Sequence, residues 1–129
     1  MIAVDTSALM AIALDEPEAE ACLAVLEAED ELVISAGTLA EALIVAARRG
    51  LGEAMERLIE GLGVEVAAVT GASARRAAAA YMRWGRGVHE AALNYGDCFA
   101  YVVAKENQCR LLYVGDDFSR TDTAGAFSQ

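Results

Sequence analysis

Histidine, lysine and proline are nearly missing from this chain, which has one of each: His89, Lys105 and Pro17. A lone histidine leaves no Ser-His-Asp set and no Cys-His pair to compete for a catalytic role. His89 lies in a Gly-rich connection and is read as a surface-loop residue without a role. One proline in 129 residues, 56% of them hydrophobic, argues against disorder or a linker-rich design. The three cysteines, Cys22, Cys98 and Cys109, are an odd number without C-x-x-C spacing. That excludes a disulfide framework and a zinc site, and leaves buried small apolar side chains in a reducing compartment. No apolar run approaches the ~20 residues of a spanning helix. The N-terminal stretch MIAVDTSALMAIALDE lacks the early Lys or Arg of a secretory signal, so a cytoplasmic protein without membrane contact is expected.

Positive charge is scarce too. The formal net charge is −10, the reverse of the basic balance usual in a phosphate-backbone binder. Its distribution is uneven. Residues 15–31 carry Asp15, Glu16, Glu18, Glu20, Glu27, Glu29, Asp30 and Glu31 without a base, and every Lys and Arg lies from Arg48 onward.

What is present is an alternation of short apolar strands with helix-length segments. IAVD (2–5), LVIS (32–35), VEVAAV (64–69) and LLYV (111–114) read as strands. Helices are expected over about 7–13, 17–29, 38–49, 52–61, 72–84 and 94–107, with Pro17 near the start of the second and Gly50 ending the third. One domain over 1–129 follows, an α/β three-layer sandwich with a central, mainly parallel sheet of four to five strands flanked by helices. Strands apolar on both faces suit a parallel sheet covered on both sides.

Ligands of such sheets bind beyond the carboxyl ends of the strands, and acids fall there. Asp5 closes the first strand, and Glu41 and Asp97 sit in what read as the first turns of two helices. Asp116 and Asp117 follow the last strand, with Asp122 shortly after. Carboxylates brought together repel unless a cation joins them, and Mg²⁺ or Mn²⁺ prefers such oxygen ligands. One or two such ions can activate a water and stabilise the leaving oxygen in a displacement at phosphorus. Each acid also has a plainer explanation. Thr38-x-x-Glu41 and Asn94-x-x-Asp97 fit capping boxes, and Asp116 and Asp117 suit a turn. Asp5 resists this, because an acid after three apolar residues at a strand end is costly unless paired or liganded. The helix after Asp97 is apolar on nearly every side, so an acid opening it needs a partner.

DTSAL at the N-terminus, TLAEAL, NYGDCFAYVVAK and LLYVGDDFSRTD together resemble the successive motifs of PIN domains, in the order found in VapC-type toxins. The resemblance spans almost the whole chain, and the third and fourth motifs are the most specific. It implies a Mg²⁺- or Mn²⁺-dependent endoribonuclease, homodimerisation, and inhibition by a small cognate antitoxin. By position it makes Asp5 and Asp97 the principal metal ligands, with Glu41 completing the acidic cluster. Asp117 is the preferred fourth acid with Asp116 as the alternative, Ser7 is a supporting hydroxyl, and Asp122 is a weaker candidate.

For RNA or antitoxin contact the sequence offers Arg75, Arg76 and Arg83 on one arc of a helix, with Arg86 nearby. Arg48, Arg49 and Arg120 are further candidates. Tyr81, Trp84, Tyr95 and Tyr101 are core, interface or base-stacking residues. Two other functions compete. A haloacid dehalogenase-like phosphatase would need a second acid where Ser7 stands and would have to use Lys105. A catalytically inactive PIN module would only bind a partner, although every acidic position is filled.

Overall fold

The computed structural model describes residues 1–127; the last two positions of the expected 1–129 domain lie outside them. Four strands, β1 (Ile2–Val4), β2 (Leu32–Ser35), β3 (Glu65–Ala67) and β4 (Arg110–Leu112), form one parallel sheet in the order β3-β2-β1-β4. Parallel neighbours need crossovers, and helices supply them. These are α1 (Thr6–Ala13), α2 (Ala19–Ala28), α3 (Ala36–Arg48), α4 (Gly52–Leu62), α5 (Gly71–Trp84) and α6 (Tyr95–Glu106), followed by a 3-10 turn at Phe118–Arg120.

The period-2 geometry of the strands divides the core between the two faces of the sheet. Ile2, Val4, Leu32, Ile34 and Leu112 pack with Leu9, Leu26, Ala42 and Met55 of α1–α4. Ala3, Val33 and Leu111 point the other way, onto Ala77 and Ala80 of α5 and the buried run Ala100–Ala104 of α6. This is the expected three-layer sandwich. Each fully buried Ile or Leu in it contributes about 2 kcal/mol of apolar burial.

Two expectations change. The third strand is short, and Glu65 and Val66 are exposed, so the double cover expected of every strand fails at this edge. A brief, charged edge strand also resists pairing with another chain. At the opposite edge, Leu111 forms a parallel bridge to Gly125, which brings the C-terminal segment against β4. Second, α3 starts at Ala36, where Ser35 caps it by accepting from the Gly37 N–H at 3.2 Å. Thr38 is therefore inside the helix and Glu41 in its second turn; the Thr38–Glu41 capping box does not form.

Helix α3 also runs very close to α6. A Cβ on Gly37 would come within 2.8 Å of the Phe99 ring. Glycine here admits the approach that brings the two acid-bearing helices together. Among the described residues, no helix is long and apolar enough to cross a membrane.

Candidate active site

Between β1 and α1 stands one residue, Asp5. It caps α1 through Oδ2, which accepts from the Ser7 N–H at 3.0 Å and the Ser7 hydroxyl at 2.6 Å. The residue is only 3% exposed, and its Oδ1 is buried without a hydrogen-bond partner among the described residues. Burial pushes its pKa up to about 7; the Ser7 bonds pull it down, and the charges of Asp97 and Glu41 add to the rise. Ser7 also accepts from the Val114 N–H at 3.0 Å, tying Asp5 to the segment after β4.

Glu41 reaches toward Asp5 from α3. Its Oε1 accepts from the Thr6 hydroxyl at 2.7 Å, and its carboxylate lies over Gly96, where any Cβ would overlap it. Asp97 stands beside that glycine in the first turn of α6. The Asn94–Asp97 capping box is fully formed: Asn94 Oδ1 accepts from the Asp97 N–H and Asp97 Oδ2 from the Asn94 N–H, each at 2.9 Å. Capping and site membership are thus compatible, since the cap uses one oxygen and leaves Oδ1. Partial burial raises the Asp97 pKa to about 6, opposed by the Asn94 bond, with Asp117 and Glu41 raising it further and Arg86 lowering it.

Those mutual fields separate the remaining acids. Asp117, exposed at the start of the 3-10 turn, acts on Asp97. Asp116 instead acts on Tyr113, and its carbonyl accepts from the Ser119 hydroxyl at 2.6 Å. Asp122 belongs to another cluster altogether: it accepts from the Tyr101 hydroxyl at 2.6 Å and pairs with Lys105 at 3.3 Å and Arg83 at 3.7 Å. Asp5, Glu41, Asp97 and Asp117 therefore share one end of the sheet. Among the described residues no three metal-ligating side chains close around a single point. An all-oxygen donor set with a buried, unpartnered Oδ1 and two carboxylates driven toward protonation fits a hard divalent cation.

The expected basic stripe is divided. Arg76 pairs with Glu106, while Arg83 pairs with Asp122 and stacks 4.3 Å from the Trp84 ring centroid. Arg75 and Arg86 are exposed without an ion pair among the described residues, and only Arg86 acts on Asp97. The aromatics divide as well. Trp84 donates to the Tyr101 hydroxyl at 3.2 Å, which fixes both rings in the Asp122 cluster. Tyr95 is 76% exposed and edge-on to Phe99, while Tyr81 walls a groove of about 520 Å³ between α5 and α6. His89 is half-buried rather than a free surface residue. It accepts from the Ala91 N–H at 3.0 Å and sits edge-on to Trp84, so it pins the loop. Lys105 lies with Asp122, away from Asp5, and position 7 is a hydroxyl that supports Asp5. Neither requirement of the phosphatase reading is met.

Sequence reasoning did not single out Thr6 or Gly96. Gly96 left a signal: a glycine in the first turn of an otherwise apolar helix weakens it and marks a close approach. Thr6 left none, because its partner is 35 residues away.

The model of the PIN domain family matches residues 2–124. Mycobacterium tuberculosis ribonuclease VapC30 is 43% identical over 124 residues, covering 94% of this chain and 95% of the relative. Among solved structures, Mycobacterium tuberculosis VapC20, described as a Sarcin-Ricin loop cleaving toxin, superposes with TM-score 0.79 at 18% identity, over 96% of this chain and 97% of that one. A toxin–antitoxin complex from Klebsiella pneumoniae gives 0.70 at 18%, over 95% and 93%. The two structures corroborate the fold, and the 43% relative fixes the branch. The chain belongs to the PIN-domain family and, within it, to the VapC ribonucleases.

Proposed function

We propose that the chain is a divalent-cation-dependent endoribonuclease of the cytoplasm and the toxin of a toxin–antitoxin pair. The observation that carries the cation is the buried Oδ1 of Asp5, which has no hydrogen-bond partner among the described residues and lies in the fields of Glu41 and Asp97. A carboxyl so placed either holds a proton or, when ionised, is stabilised by a positive charge beside it. Asp5 and Asp97 are the principal ligands, Glu41 and Asp117 complete the set, and Asp116 is left out. The oxygen-only donors suit Mg²⁺, with Mn²⁺ as substitute. A cation bound there supplies the charge that makes water a nucleophile at neutral pH and stabilises the leaving oxygen of the phosphodiester.

The chain's own groups bind and orient. Ser7 fixes the Asp5 carboxylate and the loop after β4 together. Arg86, without an ion pair among the described residues and close enough to act on Asp97, is the phosphate anchor of the stripe, whereas Arg76 and Arg83 are neutralised by their partners. Screening over ~8–10 Å lets one local cation serve RNA on an acidic protein. Antitoxin binding is supported by the Klebsiella pneumoniae complex. Homodimerisation has a fitting surface in exposed Met82 and Tyr95 beside the α5–α6 groove. The reducing cytoplasm suits three free cysteines.

The test is RNA cleavage by purified, antitoxin-free protein. Mg²⁺ or Mn²⁺ should support it and EDTA should abolish it. Arg86→Ala should raise KM roughly tenfold while Arg83→Ala changes it about twofold or less. Cleavage indifferent to EDTA contradicts the reading.

A further inference from the structure

Two hydroxyls follow Asp5, and they serve different acids. Ser7 donates to Asp5 itself, whereas Thr6 donates across to α3. Thr6 is buried, and its single proton has two acceptors in range: Glu41 Oε1 at 2.7 Å and the Thr38 carbonyl at 3.4 Å. The shorter, charged acceptor takes it. On the other side of the Glu41 carboxylate lies the bare Cα of Gly96, and any side chain there would occupy the carboxylate's place.

The two walls of this seat have a common property. Thr6 follows Asp5 directly and Gly96 precedes Asp97 directly, so the peptides that place the two principal acids also place the walls. A glutamate left without such a seat would have several rotamers available, and repulsion from Asp5 and Asp97 would favour those pointing away. We propose that Thr6 is the positioning residue for Glu41, with Gly96 completing its seat, so that the third carboxylate reaches the cation site in register with Asp5 and Asp97. The proposal rests on the cation-dependent reading above. Neither residue touches the reacting atoms.

Thr6→Val replaces the hydroxyl with a methyl of similar size. Mn²⁺ affinity, read from the electron paramagnetic resonance signal of free Mn²⁺, should fall roughly tenfold, and kcat roughly 10- to 100-fold, with KM within about twofold of wild type. Thr6→Ser retains the donor and should return both quantities to within about threefold of wild type. Gly96→Ala keeps the donor but displaces the carboxylate, and should reproduce Thr6→Val. Wild-type Mn²⁺ affinity and kcat in Thr6→Val overturn the proposal. So does a Thr6→Ser variant as impaired as Thr6→Val, because retaining the hydroxyl donor would then restore nothing. Should Thr6→Val fail to fold, Gly96→Ala decides by the same criteria. Wild-type protein that binds Mn²⁺ but leaves RNA uncut defeats the nuclease reading alone, since the Mn²⁺ affinities still judge Thr6. Wild-type protein that binds no Mn²⁺ defeats both.

Discussion

Asp97→Asn should give a folded protein that cleaves RNA roughly a thousandfold more slowly, equivalent to about 4 kcal/mol of lost charge stabilisation. The substitution is selective because Asp97 has two duties that draw on different properties. As the third residue of the capping box it needs only an oxygen to accept from the Asn94 N–H, which an amide oxygen supplies. As a cation ligand it needs charge, which an amide lacks. Helix α6 and the thermal stability should therefore survive while kcat collapses. A single-turnover assay beside a thermal melt checks both. Retention of more than about a tenth of the rate would remove Asp97 from the site.

The second large effect is on stability and has the opposite sign. Without metal, Asp5→Asn should stabilise the protein at pH 8 by about 2 kcal/mol, raising Tm by about 5–10 °C. Asp5 titrates in the folded protein at about 7, above the carboxylate value of 3.8 that an unfolded chain keeps. Between those values the folded state binds more protons than the unfolded state, so stability falls as pH rises through that window. The full penalty of a shift this large is on the order of 4 kcal/mol, and the unpartnered amide group of the asparagine reduces the gain. At pH 4 and below, where the wild-type carboxyl is protonated folded or unfolded, only the amide's cost remains and the variant should melt below the wild type. Saturating Mg²⁺ at pH 8 should erase the advantage by stabilising only the wild type. An Asp5→Asn variant less stable than wild type at pH 8 without metal would mean that the carboxylate is satisfied by the protein alone.

Much of this arrangement was legible in the sequence because the relevant signals are local. Three-residue apolar runs ending in Asp5 or followed by capped helices define a parallel sheet with acids at its carboxyl edge, and β1, β2, α5 and α6 lie close to where periodicity places them. The start of α3 was not legible. Ser35 and Thr38 are both competent caps three residues apart, and only the end of β2 decides for Ser35. Between Asp116 and Asp117 the resemblance already prefers Asp117, the acid just before Phe118, and the charge of Asp117 acting on Asp97 supports that preference. The arginine stripe could not reveal its own division. Arg76 and Arg83 share a helix with Arg75, but their partners Glu106 and Asp122 come from segments 30 and 39 residues further on. Asp122 itself was drawn from the site by Tyr101 and Lys105, whose geometry depends on α6 packing against the C-terminal segment.

One titration bears most directly on the shared carboxylate site: Mn²⁺ binding at pH 8 to the wild type and to Asp5→Asn, Asp116→Asn and Asp117→Asn, without RNA. Asp5→Asn should weaken binding by roughly 100-fold or more and Asp117→Asn by roughly tenfold, while Asp116→Asn binds like the wild type. Wild-type Mn²⁺ affinity in Asp5→Asn would contradict the assignment of the buried carboxylate as the centre of the site.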